Sequence, residues 1–166
     1  MVTDRPDTRP RIRPSATTRR NLSQKGTPVT ADSDQNISRL LEEAHTIAVV
    51  GLSPKPDRAS HRVAAYLQKA GYRIIPVTPK GDSILGERCY PSLKAIPKEI
   101  RVDIVDVFRK AEETPPIAAE AVRIGAGALW LQSGITNETS MQTATKGGLL
   151  AFQDLCLMVE HRRLGK

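Results

Sequence analysis

The stretch AVVGLSPKPDRASHRVAAYL, residues 48–67, decides how the rest of the chain is read. It begins with a short apolar run, turns at Gly51, and passes through a polar loop into a helical pattern. In that pattern Val63, Ala64, Leu67 and Ala70 share one face, Ser60 is the expected cap and Gly71 the expected stop. A strand, a glycine turn and a helix in this order form the opening unit of a dinucleotide-binding sheet. Yet the glycines of a G-x-G-x-x-G fingerprint do not follow Gly51. Pro54, Lys55, Pro56 and Arg58 stand in their place.

Working outward, five apolar runs of strand length are bounded by turn residues: TIAVVG (46–51), RIIPVT (73–78), VDIVDVF (102–108), ALWLQ (128–132) and LLAF (149–152). Several are unbroken, as strands covered on both faces are. Helical patterns lie between them. Thr114-Pro115 opens one that Gly125 stops, and Thr136 or Asn137 opens another that ends at Gly147-Gly148. Shorter helices are expected at 38–44 and from 155 to about 163. The alternation predicts an α/β fold, a three-layer Rossmann-like doubly wound parallel sheet of five strands in the order 3-2-1-4-5. Pro76 is the local misfit, because proline removes a ladder donor.

A chain of 166 residues accommodates one domain with a tail. Residues 1–36 are rich in Pro, Thr, Ser and Arg, contain no aromatic residue and show no apolar period. They are expected to be a disordered basic tail, followed by a folded domain over 37–166. The net charge is +7, of which the tail supplies +3. A basic domain suits nucleic acid, anionic lipid or phosphorylated small molecules. No Lys/Arg run interleaves with aromatics and the aromatic content is 4%, which argues against base-stacking platforms. Tethering of nucleic acid by the tail is the weaker alternative. No apolar stretch reaches membrane-spanning length, and a signal-peptide core is absent. The Arg/Ser/Thr-rich start loosely resembles an organelle transit peptide, but Asp4, Asp7 and the prolines oppose an amphipathic helix there. Two cysteines without a CxxC pattern suit a reducing cytoplasm.

In doubly wound sheets ligands sit outside the carboxyl ends of the strands. The loops there are SPKPDRAS, TPKGDS, FRKAEET and QSGITN, which bring Ser53, Lys55, Arg58, Lys80, Arg109 and Gln132 to one edge. Ser53 offers a hydroxyl, the amides opening the next helix offer donors and a favourable dipole, and Lys55 and Arg58 add charge for an anion. An NAD site has an acid after its second strand; here the chain reads Val77-Thr78-Pro79-Lys80, and a lysine without an acid suits a phosphate on the ribose. Phe108-Arg109-Lys110 supplies a cation or an apolar wall under an adenine, and Gln132-Ser133-Gly134 a polar amide before a tight turn.

Catalytic constellations are harder to find. Cys156 lies near a helix start, where a mixed disulfide with a ligand thiol is conceivable, although a buried inert cysteine is the favoured reading. Cys89 reads as a packed loop residue. His45, His61 and His161 lack metal-ligand spacing, and Glu160 and His161 are adjacent and so diverge on a helix. Asp103 and Asp106 fall on opposite faces of one strand, with Asp103 a cap or edge residue. Neither a metal site nor a nucleophile–base pair emerges.

From about Leu41 to His161 the chain resembles the small bacterial CoA-binding domain proteins, and more distantly the CoA-binding domain of the succinyl-CoA synthetase alpha subunit. The resemblance rests on VVGLSPKPDRASHRVAAYLQKAGYRIIPVTPK, LGERCYPSLKAIP, VDIVDVFRK, ALWLQSGI and CLMVEHRRL. It implies a Rossmann-like fold that binds coenzyme A or an acyl-CoA. Gly51, Ser53, Lys55 and Arg58 would then surround the phosphates, and Val77, Pro79 and Lys80 would frame the adenosine and its 3′-phosphate. Val107, Phe108 and Arg109 would line the adenine side, and Gln132 and Gly134 the pantetheine side. Two positions depart from the family pattern: Thr78-Pro79-Lys80 replaces Asn-Pro-Lys, and Asp154-Leu155-Cys156 replaces Asp-Arg-Cys. The synthetase's ligase portion has no counterpart here. A non-catalytic CoA-binding module or sensor is therefore the leading expectation. An NADPH-binding oxidoreductase or redox sensor, with a proton donor near Gln132, is the alternative.

Overall fold

A computed structural model of the chain describes residues 31–166. The tail expectation falls on 1–30, outside the described residues, and 31–36 belong to the first helix. The elements are α1 (Ala31–Glu43), β1 (Thr46–Val50), α2 (Ala59–Lys69), β2 (Arg73–Val77), β3 (Ser83–Ile84), β4 (Glu87–Arg88) and β5 (Ile104–Val107). They continue as α3 (Thr114–Arg123), β6 (Ala128–Leu131), α4 (Glu138–Lys146), β7 (Leu150–Phe152) and α5 (Leu157–Arg163).

Side-chain alternation divides each strand between two cores. Ile47 and Val49 of β1, Ile74 of β2, Ile104 of β5 and Trp130 of β6 face the layer made by Ile37 and Leu41 of α1, Val63, Ala64 and Leu67 of α2, and Leu157 of α5. Their strand neighbours Ala48, Val50, Ile75, Val105 and Leu129 face Ala118 and Ala121 of α3 and Ala144 of α4. Both faces of the sheet are therefore covered, which is why β1, β5 and β6 are buried along their whole lengths and, Asp106 of β5 apart, read as largely apolar runs. Helices, sheet and helices make the three α/β layers expected, and the five strands are parallel.

The order of the strands departs from expectation. It is β2-β1-β5-β6-β7, which is 2-1-3-4-5 in the numbering of the five apolar runs and not 3-2-1-4-5. The residue that misfitted explains the difference. The Pro76 carbonyl accepts from Tyr90 N–H at 3.0 Å, on the edge of β2 that faces away from β1. A residue's N–H and C=O point the same way in a strand, so the donor that proline lacks would have lain on that outer edge. A further parallel strand beyond β2 would have needed it. Instead, the segment at Tyr90 closes the edge with a single bridge to Val77 and a 2.8 Å bond from Thr78 N–H. The chain then crosses back to pair β5 with the other side of β1.

Two caps also settle locally. Arg58, not Ser60, is the N-cap of α2; Ser60 lies inside the helix, buried, and its Oγ accepts from Ser53 N–H at 3.0 Å. Asn137 caps α4 by accepting from Ser140 N–H at 2.9 Å, as expected of an Asn at that position. Asp103 is the edge residue its position suggested. Its Oδ2 accepts from the amides of His45 and Thr46 at 2.8 and 3.0 Å and ties the start of β5 to the start of β1.

Candidate functional site

At the carboxyl ends of β1, β2 and β5 the backbone closes tightly around Gly51. Its N–H donates to Val77 O at 2.8 Å, and Phe108 N–H donates to Val50 O at 2.8 Å. Gly51 has φ +88°, and a β-carbon there would stand 2.5 Å from Phe108 O and 3.0 Å from Arg109 Cδ. Only glycine meets both demands.

Beyond Gly51 the loop is wound by its own polar groups. Ser53 Oγ accepts from Lys55 N–H at 3.1 Å, and Lys55 O accepts from Arg58 N–H at 3.1 Å. The Ser53 hydroxyl proton remains available to donate. Arg58 is extended at the N-cap and makes no side-chain cap bond to the helix. His61 and Arg62 N–H already bond Arg58 O, at 3.1 Å each. The amides of Ala59 and Ser60 precede the first carbonyl partner and lie at the positive end of the helix dipole. A depression of about 350 Å³ opens here, lined by Gly51, Ser53, Arg58, Ala59, Ser60 and Phe108. Its chemistry is that of an anion cradle: helix amides, a hydroxyl and a guanidinium.

A second depression, of about 330 Å³, is lined by Val50, Val77, Pro79, Leu93 and Ile117 together with Arg109, Glu113 and Glu120 among others. Its walls are mostly apolar. Arg109 Nε and Nη2 both reach Glu113 Oε1 at 2.8 Å, and Glu120 Oε1 accepts from Leu93 N–H at 3.2 Å. The two hollows meet the same strand ends, since Val50 and Gly51 are consecutive, as are Phe108 and Arg109.

Of the residues expected at the site, Gly51, Ser53, Arg58 and Phe108 thus gather in one depression, and Val77, Pro79 and Arg109 in the other. Val107 is fully buried in the sheet. Lys55 and Lys80 are exposed on the adjoining turns and line neither hollow. Gly134 also lies outside both, in the turn after β6, where its N–H donates to Asp154 Oδ1 at 2.7 Å. Gln132 is turned inward: it is buried, and its Nε2 donates to Asp106 Oδ1 at 2.6 Å.

Asp106 was not among the residues expected to matter here. It sits in β5 between Val49 of β1 and Trp130 of β6, fully buried, and its Oδ2 has no hydrogen-bond partner. Burial pushes the carboxyl up from 3.8 to about 7, against the opposite pull of the Gln132 hydrogen bond. Its signal was an acid inside an otherwise apolar strand. Glu113 and Glu120 were missed as well, although Glu113 follows Arg109 by only four residues. Cys89 is partly buried, and burial followed by Asp82 raises its thiol, which makes it a poor nucleophile. Among the described residues no group of three His, Cys, Asp or Glu is placed to hold a metal, and no helix is long and apolar enough to cross a membrane.

Several known proteins resemble this chain, and the family match spans both hollows. The model of the CoA binding domain family matches residues 45–162. The uncharacterized protein YneT of Bacillus subtilis is 43% identical over 129 residues, covering 78% of this chain and 94% of that protein. The ADP-forming acetate–CoA ligase II of Archaeoglobus fulgidus is 33% identical over 96 residues, 56% of this chain but 14% of the ligase. Among solved structures, a hypothetical protein from Pyrococcus horikoshii superposes with a TM-score of 0.78 at 35% identity, covering 85% of this chain and 98% of that one.

Proposed function

The chain belongs to the CoA-binding domain family, and we propose that it holds coenzyme A or an acyl-CoA across the two strand-end depressions, as a binding module without chemistry of its own. The observation that carries the reading is the start of α2. Ala59 and Ser60, whose amides open the helix, line one hollow together with Ser53 and Arg58, a set of donors that suits a pyrophosphate. The apolar walls of the second hollow, Val50, Val77 and Pro79, suit the adenine ring, with Arg109 in the lining and Lys80 exposed on the adjoining turn as the two cations for the 3′-phosphate. The pantetheine arm would leave toward the Gln132–Gly134 turn, and CoA would supply a free thiol at that end. Two free cysteines fit a reducing, cytoplasmic setting.

Calorimetric titration tests the reading. One CoA is expected per chain, and Arg58→Ala is expected to weaken it about ten-fold, the loss of one charge-assisted hydrogen bond. NADPH is expected to give no heat. Absence of CoA binding at millimolar concentration, or an Arg58→Ala affinity equal to wild type, would contradict it.

A further inference from the structure

The Arg109–Glu113 pair bears on which nucleotides the second depression favours. Arg109 leaves β5 close under Gly51, and its Nε and Nη2 both end on one oxygen of Glu113, each at 2.8 Å. That Nε/Nη2 edge is one with which a guanidinium forks onto a phosphate. It is already occupied by an acid of the same chain. Glu113 is the N-cap residue of α3 yet makes no side-chain cap bond, so the helix amides do not claim its carboxylate. The two side chains are 39% and 40% exposed, so water screens their attraction and the pair opens at little cost. A second acid, Glu120, lines the same hollow and is anchored to Leu93 N–H. Arg109 is therefore the one cation among the described lining residues, facing two carboxylates.

We propose that Glu113 is a specificity-determining residue: it competes for the phosphate-binding edge of Arg109 and so lowers the preference for a nucleotide carrying a 3′-phosphate monoester. The proposal rests on the CoA reading above. In the empty site Glu113 stands in for an anion. A 3′-phosphate reaches that edge of Arg109 only by displacing Glu113, and so gains less from the guanidinium than it would from an unpaired one. A nucleotide with a free 3′-hydroxyl meets no such competition.

The test compares the 166-residue chain with Glu113→Gln, Arg109→Gln and the double variant, each titrated with CoA and with dephospho-CoA. Glu113→Gln is expected to raise the CoA-over-dephospho-CoA preference about five-fold, the scale of one partly screened charge. In the Arg109→Gln background the Glu113 substitution is expected to have no further effect. An unchanged preference in Glu113→Gln would overturn the proposal. A lowered preference would overturn it too, by making Glu113 a support that aims Arg109. A gain that persists without Arg109 would assign the effect to another cation and overturn it equally. Wild-type protein that binds neither nucleotide would overturn the CoA reading itself, an outcome distinct from the other three.

Discussion

Gly51→Ala is expected to lower the unfolding free energy by about 3 kcal/mol and to take CoA binding below detection. Two independent penalties add at this position. An L-residue at φ +88° is strained wherever it stands. The new methyl would also meet Phe108 O at 2.5 Å, a backbone atom held by its own chain rather than a side chain free to swing away. Relief requires the ends of β1 and β5 to separate, and with them the 2.8 Å bonds from Gly51 N–H to Val77 and from Phe108 N–H to Val50. Those strand ends carry Ser53, Phe108 and Arg109 into the two depressions, so the damage to stability and to the site has one source. Urea denaturation and a CoA titration of the same preparation check both halves. A variant with an unchanged midpoint would show that the ends part easily.

The second large effect concerns Asp106 and pH. Its carboxyl is raised from 3.8 to about 7 in the folded chain. Between those values the folded state holds a proton that the unfolded state has released, so stability falls as pH rises through that window and levels off above about 7. Integrated over the window, the loss is on the order of 4 kcal/mol. Asp106→Asn keeps an acceptor for Gln132 and removes the titration. The stability of Asp106→Asn relative to wild type is therefore expected to climb from pH 4 to pH 7 by that order, then hold level. Taking the difference between the two chains cancels every other titrating group that the substitution does not touch. Parallel curves would mean that water or a rearranged side chain satisfies the carboxylate.

These two residues illustrate what sequence alone conveys about this fold. Gly51 was legible because its role is local: a turn between an apolar run and a helix. The five strands were legible for a similar reason: β1, β5 and β6 are covered on both faces, and β2 and β7, less buried, are still mostly apolar runs of strand length. The strand order was not, because it depends on which edge of β2 remains open, a long-range matter decided by Tyr90 pairing beside Pro76. Proline there is itself the mark of an edge strand. The site divides along the same line. Ser53, Arg58, Pro79 and Arg109 lie in the loops after strands and Val77 ends β2, and the structure divides them between two adjoining hollows. Gln132 also lies at a strand end, but its partner is 26 residues away in β5, and no local pattern reveals that its amide turns inward to Asp106. Ser60 resembled a cap until its hydroxyl proved to be the anchor for Ser53 N–H.

The central claim is that the strand-end hollows around Gly51 hold CoA. The most direct measurement is a two-dimensional amide NMR titration of the labelled chain with CoA. Saturable shifts are expected, concentrated at Gly51, Ser53, Ala59, Ser60 and Phe108, with Leu157–Arg163 of α5 unmoved. Saturating CoA that leaves the amides of Gly51 and Ser60 in place, or that moves α5 instead, would contradict the claim.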